Sequence, residues 1–348
     1  MKLRKNLKLP LDRFINLSLY NKQFGYYMKR NPFGIKGDFT TAPNISRLFP
    51  EMIAIWVISF WQSLGSPNKF NLVELGAGNG EMMKVLVESF KNFPIFFNSC
   101  NFIIHEKSPL LIRIQKKILK DAKIIWISKI NKINNNPCIF IANEFFDAIA
   151  IKQFLKKKDY WFEKYINLGN KRKMTFFEKK IDITKIERKI GIKISKKQKF
   201  IEYPELGLNY LKEITKKIKR NTGGLLLIDY GYKGEKMRNT LQAISNHKIV
   251  NILNYKRGID ITYNISFDFF KKFTEKLGGV KSNITTQKNF LIKMGINHRA
   301  EIISKNLSFS KKADIFYRLK RLIDEKQMGN LFKVMFITNK ENKFKKGF

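Results

Sequence analysis

The chain has 348 residues, 44% of them hydrophobic, which suits one large α/β domain with insertions, or at most two domains, and excludes a disordered tail. Its 68 lysines and arginines against 28 acids give a formal charge of +40, the sign expected of a partner for nucleic acid or anionic membrane. The charge alone decides nothing. The basic residues are spread through Lys156–Lys158, Lys193–Lys199 and Lys216–Arg220, and the preference for Lys, Asn, Ile and Phe is what A/T-rich codons produce.

Met52–Trp61 is the longest apolar run, and it is only about half of what a membrane span needs. It reads as a buried helix over Pro50–Leu64, stopped by Gly65-Ser66-Pro67-Asn68. The basic start is interrupted by Asp12 and lacks a continuous apolar stretch, so no secretory signal is expected, and there is little room for an organellar presequence. Cys100 and Cys138 form no CxxC pair and read as buried thiols of a bacterial cytoplasmic protein, with no metal site.

From Phe70 the pattern alternates between strand and helix. Phe70–Leu75 is a predicted strand, followed by a glycine turn and a helix over Glu81–Lys91. Asn101–Glu106 is a strand, then Ser108-Pro109 supplies an N-cap and first-turn proline for Leu110–Lys120. Ile124–Ile127 and Cys138–Ala142 are further buried strands. This alternation predicts an α/β fold, a Rossmann-like parallel sheet with helices on both faces. Residues 151–204 read as a β-rich, Lys-rich insertion. Beyond it, Leu206–Arg220 is an amphipathic helix that Gly223-Gly224 is expected to end, and Leu225–Tyr230 is an apolar strand. Helices around Phe267–Leu277, His298–Asn306 and Ala313–Gln327, and a strand at Leu331–Thr338, close the chain. The expected division is residues 1–68, an N-terminal helical and lid segment; 69–150, the cofactor core; 151–204, the insertion; and 205–348, the rest of the core with a helical accessory portion.

The stretch Leu72–Lys84, LVELGAGNGEMMK, carries the chemistry. Gly76, Gly78 and Gly80 follow a buried strand and open a helix, where side chains would block a ligand's approach to the backbone. A dinucleotide loop more typically reads GxGxxG with an acid about 20 residues on. Here the next strand-ending acid, Glu106, lies 26 residues past Gly80, and Glu74 precedes the glycines. Glu74 would repel a pyrophosphate but suits a sulfonium-bearing amino acid. The two oxygens of Glu106 suit a ribose diol. Together they point to S-adenosyl-L-methionine, whereas the glycines alone also fit a plain strand-to-helix turn.

Several segments, in order along nearly the whole chain, resemble the MidA-like family of class I methyltransferases, the family of the mitochondrial complex I assembly methyltransferase and its bacterial relatives. They include Leu19–Ser46 with its GDFTTAP element, the glycine loop, His105–Gln115, Ala142–Phe154 with NEFFDA, Leu225–Tyr232, Thr240–Leu253, Thr286–Ile296 and Met328–Met335. GDFTTAP and NEFFDA are the specific elements. Ala150 and Pro50 depart from the family pattern without removing a carboxylate. The resemblance implies protein-arginine methylation, with a respiratory complex I subunit as a substrate of its eukaryotic members. A guanidinium is always protonated, so carboxylates are expected to hold it and to take its proton. Asn143, Glu144 and Asp147 are the candidates for that role. Glu202 and Glu205 are weaker ones, and Asp229 and Tyr230 are expected at the same sheet edge. Asp38 and Thr41 are expected in a lid over the cofactor. An RNA methyltransferase, suggested by the charge, and a cofactor-binding assembly factor with little turnover remain the alternatives.

Overall fold

The computed structural model describes residues 7–34, 41–169, 174–245, 248–254 and 259–348. Its main sheet contains the strands Phe70–Leu75, Cys100–His105, Ile124–Ile127, Cys138–Asn143, Gly223–Tyr232, Val280–Thr286 and Phe332–Asn339. Counted in chain order, they lie 6-7-5-4-1-2-3 across the sheet. The first five run parallel to one another, and Phe332–Asn339 is antiparallel to both its neighbours. This is the doubly wound arrangement that the alternating pattern predicts. Val280–Thr286 and the helix Gln287–Lys293 after it are additions that the sequence reading lacks.

Both faces of the sheet are dry, and the period-2 alternation shows why. Val73, Leu75, Ile103, Phe140, Leu225, Leu227, Met335 and Ile337 enter one apolar core. Leu72, Ile104, Ile139, Ile141, Leu226, Ile228, Val334 and Phe336, from the same strands, enter the other. The first core is covered by the helices Glu205–Asn221 and Phe267–Lys276 and by Leu11–Tyr20. The second is covered by Leu48–Ser63, Glu81–Phe90 and the helices between Gln287 and Ile323. The apolar run at Met52–Trp61 is thus a buried helix, as expected. Trp56 packs edge-on against Phe336 at 5.1 Å and donates its indole N–H to the Lys346 carbonyl at 3.1 Å. No described helix is long and apolar enough to cross a membrane.

A second sheet is built around Tyr160–Leu168. One of its edges takes Met174–Ile181, while the other is shared between Lys152–Lys157 and the N-terminal strand Leu7–Pro10; Phe200–Tyr203 pairs with Lys152–Lys157 beyond it. The β-rich reading of this region therefore holds, with one correction. Ile183–Ile190 is a helix, capped by the Asp182 carboxylate on the Thr184 amide at 3.0 Å and ended by Gly191 at φ +68°. A third sheet joins Gln242–Ser245 to Lys248–Val250 and Asp260–Thr262.

Gly223-Gly224 is also corrected. These glycines open a strand and do not close the helix. Gly223 has φ +118°, and a Cβ there would stand 1.9 Å from the Cys138 carbonyl oxygen of the neighbouring strand.

Candidate active site at the carboxyl edge of the sheet

Register brings the site together. Leu75 stands opposite His105 on one side and Ala142 on the other, and Asn143 stands opposite Ile228. The glycine loop, Glu106 and the Asn143–Asp147 turn therefore leave the sheet side by side. Chain order reverses here, between the first and fourth strands, and open α/β sheets bind ligands at such a crevice.

All three loop glycines are in the left-handed region, at φ +68° for Gly76, +54° for Gly78 and +89° for Gly80. A Cβ on Gly76 would meet Phe145 at 2.8 Å, and one on Gly78 would meet Phe33 at 3.3 Å. The Gly76 amide donates to the His105 carbonyl at 2.9 Å, pinning the loop to the adjacent strand. Glu74 is buried just below it, with Oε2 lacking a hydrogen-bond partner among the described residues. Burial first, and the Glu106 charge second, push its carboxyl up to about 8. Glu106 is held differently. Its Oε1 accepts the amides of Lys107 at 2.8 Å and Ser108 at 2.9 Å, and its Oε2 accepts Gln115 Nε2 at 3.3 Å. Burial still raises its pKa, with those donors opposing the rise. His105, buried between Phe145 and Tyr210, has its pKa lowered to about 4 by burial and by Lys107, which keeps it neutral at physiological pH.

The turn after Cys138–Asn143 carries the second set of groups. Glu144 is half-buried and adopts φ +51°, a left-handed backbone that costs a non-glycine residue about 1–2 kcal/mol. Its amide is fixed by the Ile228 carbonyl at 2.9 Å, and its Oε1 accepts Asn143 Nδ2 at 3.2 Å. Burial raises its carboxyl to about 7, while the amides of Asn143 and Ala42 oppose the shift. Asp147 is buried, and its Oδ1 has no hydrogen-bond partner among the described residues. Burial, and then Asp229, Glu144 and Asp260, raise its pKa. The Asn143 Oδ1 is buried and unpartnered in the same sense. Asn143, Glu144 and Asp147 thus gather at one edge with Asp229 and Asp260.

The N-terminal segment forms the opposite wall. Thr41 is buried, and its Oγ1 accepts Asn44 Nδ2 at 2.7 Å; Asn44 Oδ1 in turn accepts Asn79 Nδ2, in the glycine loop, at 3.0 Å. Asp38 lies outside the described residues. Tyr20 and Tyr27 stack at 5.6 Å, Tyr27 and Phe33 at 6.2 Å, and the Tyr27 hydroxyl donates to Asp260 at 3.0 Å. Gly76, Gly78, Glu106, Glu144, Phe145 and Tyr210 line one pocket with these three rings.

Glu202 and Glu205 do not belong to this group. Glu202 is occupied by Gln153, by the Thr240 hydroxyl and amide, and by the Leu241 amide, so it ties the insertion to the following segment. Glu205 pairs with Lys189. The sequence reading missed Gln115, Tyr20, Tyr27 and Asp260. A polar residue four positions after Leu111, on the buried stripe of an amphipathic helix, was the one available signal for Gln115.

Known proteins resemble this chain in sequence and in fold. The mitochondrial protein arginine methyltransferase NDUFAF7 of Xenopus laevis is 28% identical over 95% of this chain and 81% of its own length. The human protein of the same name is 25% identical over 95% of the chain and 80% of its own length. A Burkholderia thailandensis protein bound to S-adenosyl-homocysteine has the same fold, with a TM-score of 0.79 at 19% identity over 95% of this chain and 88% of that one. A family model described as S-adenosyl-L-methionine-dependent methyltransferase matches residues 52–286, about two thirds of the chain. With that match and the glycine-loop geometry, the chain belongs to this family of S-adenosyl-L-methionine-dependent methyltransferases.

Proposed function

We propose that this enzyme methylates a terminal nitrogen of an arginine side chain in a protein substrate. The observation that carries the reading is the grouping of Glu144 and Asp147, one strand away from the glycine loop, with Asp229 on the strand beyond, all three with raised pKa values. The buried Asp147 carboxylate keeps one oxygen unpartnered among the described residues and is poised for a cation, and a planar guanidinium matches a carboxylate in bidentate fashion. The names of the NDUFAF7 relatives agree with this substrate class.

The residues present fit the cofactor. The glycine cradle is space that side chains would fill, Glu74 offers a buried acceptor to the amino acid portion, and Glu106 offers the acceptor capacity left on Oε2 to the ribose diol. When bound, S-adenosyl-L-methionine would supply the methyl group, displaced in line at its carbon with the sulfur leaving as a neutral thioether. The chain's own part is alignment, exclusion of water and handling of one proton. Asp147 and Asn143 orient the guanidinium, Tyr20, Tyr27 and Phe33 cover the pocket, and Glu144 accepts the proton that the nitrogen loses as the N–CH3 bond forms. Thr41 supports the wall through Asn44 and Asn79.

A complex I subunit is the substrate that the family resemblance implies, and the bacterial cytoplasm is the location we assign, in keeping with the free thiols Cys100 and Cys138. The experiment is incubation of the purified chain with labelled cofactor and cell extract, followed by nuclease or protease and by mass spectrometry of the labelled band. Methylarginine in a protease-sensitive product is the expected result. Label lost to nuclease would instead identify RNA as the acceptor.

A further inference from the structure

Gln115 lies in the helix Pro109–Ile118 and is fully buried. Its Nε2 donates to the Gly78 carbonyl at 2.9 Å and to Glu106 Oε2 at 3.3 Å, and its Oε1 accepts the Trp126 indole N–H at 2.9 Å. An indole nitrogen only donates, so Trp126 fixes which end of the amide is oxygen and turns both amide hydrogens toward the loop and the acid. The Gln115 Cγ also lies 3.3 Å from where a Cβ on Gly80 would stand. One side chain therefore touches the second and third loop glycines and the acid that ends the next strand. A residue needed only for volume would be apolar, like Leu111 one turn earlier on the same face, because a buried amide is costly unless its hydrogen bonds are made.

We infer that Gln115 is a positioning residue of the cofactor site, fixing Glu106 Oε2 relative to the Gly78 carbonyl so that the ribose diol and the amino acid portion are held in one geometry. The inference rests on the reading of Glu106 as the ribose acid. With Oε1 held by the Lys107 and Ser108 amides and Oε2 by Gln115, the carboxylate has no freedom to rotate away. The charged and titratable groups facing it are Glu74 from the neighbouring strand, Lys107 beside it and Tyr20 from the N-terminal helix. The Gln115 amide favours the ionised form of Glu106 against burial.

The test is calorimetric titration of the full chain with S-adenosyl-homocysteine. Gln115→Met keeps the volume and removes both polar ends, and it should raise Kd about tenfold, as expected for losing hydrogen bonds to a charged group. Glu106→Gln should weaken binding too. The double variant should be no more than about twofold weaker than the weaker single variant, because both act on one contact. On acidification, affinity should be lost at a higher pH in Gln115→Met than in the parent, since Glu106 has lost a donor that keeps it ionised. A purely structural role for Gln115 would lower thermal stability without moving that midpoint. If Gln115→Met does not fold, Trp126→Phe releases the amide orientation and should raise Kd about threefold. Weakened Glu106→Gln with unchanged Gln115→Met, or unchanged Trp126→Phe in its place, would overturn the inference. Parental affinity in Glu106→Gln would overturn the ribose assignment itself, and this inference with it.

Discussion

The Asp229 carboxylate accepts the backbone amide of Phe146 at 2.9 Å, so the end of one strand holds the turn that leaves its neighbour. The same oxygen takes the Asp147 amide at 3.3 Å, and the other oxygen takes the Tyr230 amide at 2.9 Å. Asp229 thus holds the Phe146–Asp147 backbone of the turn, while burial and the Glu144 charge raise its own carboxyl. Asp229→Ala takes the acceptor from two buried amides and one half-buried amide and is expected to destabilise the protein by about 2–4 kcal/mol, with loss of most activity. Asp229→Asn should cost less. It keeps one acceptor and relieves the repulsion with Glu144, but sets an NH2 against one amide. Urea unfolding beside a methylation assay checks the order, and equal stability of the alanine variant and the parent would refute the account.

The raised carboxyls make a signed prediction. Glu74 is pushed to about 8 and Glu144 to about 7, both from 4.5. The folded state therefore binds more protons than the unfolded state between 4.5 and those values, and stability should fall as pH rises through that window. Activity should run the other way, because Glu144 must be ionised to take a proton. With cofactor saturating, kcat/KM for the protein substrate should rise with pH to a plateau, with its midpoint at or below about 7. Glu144→Gln should abolish that limb and most of the rate. An unchanged profile in this variant would remove Glu144 from the chemistry.

The loop glycines are predicted to matter through backbone and space together. Gly78→Val places a β-branched side chain at φ +54° and drives it into Phe33. Strain of about 1–2 kcal/mol from the backbone, with the steric clash added, should weaken S-adenosyl-homocysteine binding about a hundredfold. The loop lies at the sheet edge, so the fold should survive, as circular dichroism and thermal melting would show. A folded Gly78→Val variant with affinity within about threefold of the parent would sink the assignment.

What was legible in the sequence, and what was not, follows from range. The five parallel strands announce themselves because each is a short apolar run between helix signals, and Ser108-Pro109 marks its helix locally: the Ser108 hydroxyl accepts the Leu111 amide at 3.2 Å. Val280–Thr286 was hard to read because Val280 and Ile284 are its only apolar residues, too few for a period-2 signal, and the strand it pairs with, Phe332–Asn339, lies about 50 residues later. Gly76, Gly78, Gly80, Glu74 and Glu106 were readable because strand and loop spacing places them. Asp260 was not, since the hydroxyl that meets it, on Tyr27, lies 233 residues away. Glu202 looked like a clamp residue from its neighbours in sequence, but its acceptors are used by a segment nearly 40 residues on.

The junction at Thr222-Gly223 separates two glycine effects that sequence inspection merges. A glycine pair after an amphipathic helix reads as a left-handed cap, yet here it is Thr222 that turns the chain, at φ +63° and ψ 173°, a region that only glycine visits freely. Thr222→Gly is therefore expected to stabilise the protein, by about 1 kcal/mol after allowing for the greater freedom of the unfolded chain. Gly223 serves a different purpose, because Gly223 pairs with Cys138 so closely that a Cβ would overlap the carbonyl oxygen. Gly278 provides the control, at φ +70° with nothing within 4 Å of a Cβ. Gly278→Ala should cost only the backbone strain of about 1–2 kcal/mol. Gly223→Ala should cost more than about 4 kcal/mol, or prevent folding, because two central strands would have to separate. Thermal and urea unfolding of the three variants measure this directly. If Gly223→Ala and Gly278→Ala lost equal stability, the close approach to Cys138 would not be what requires glycine there.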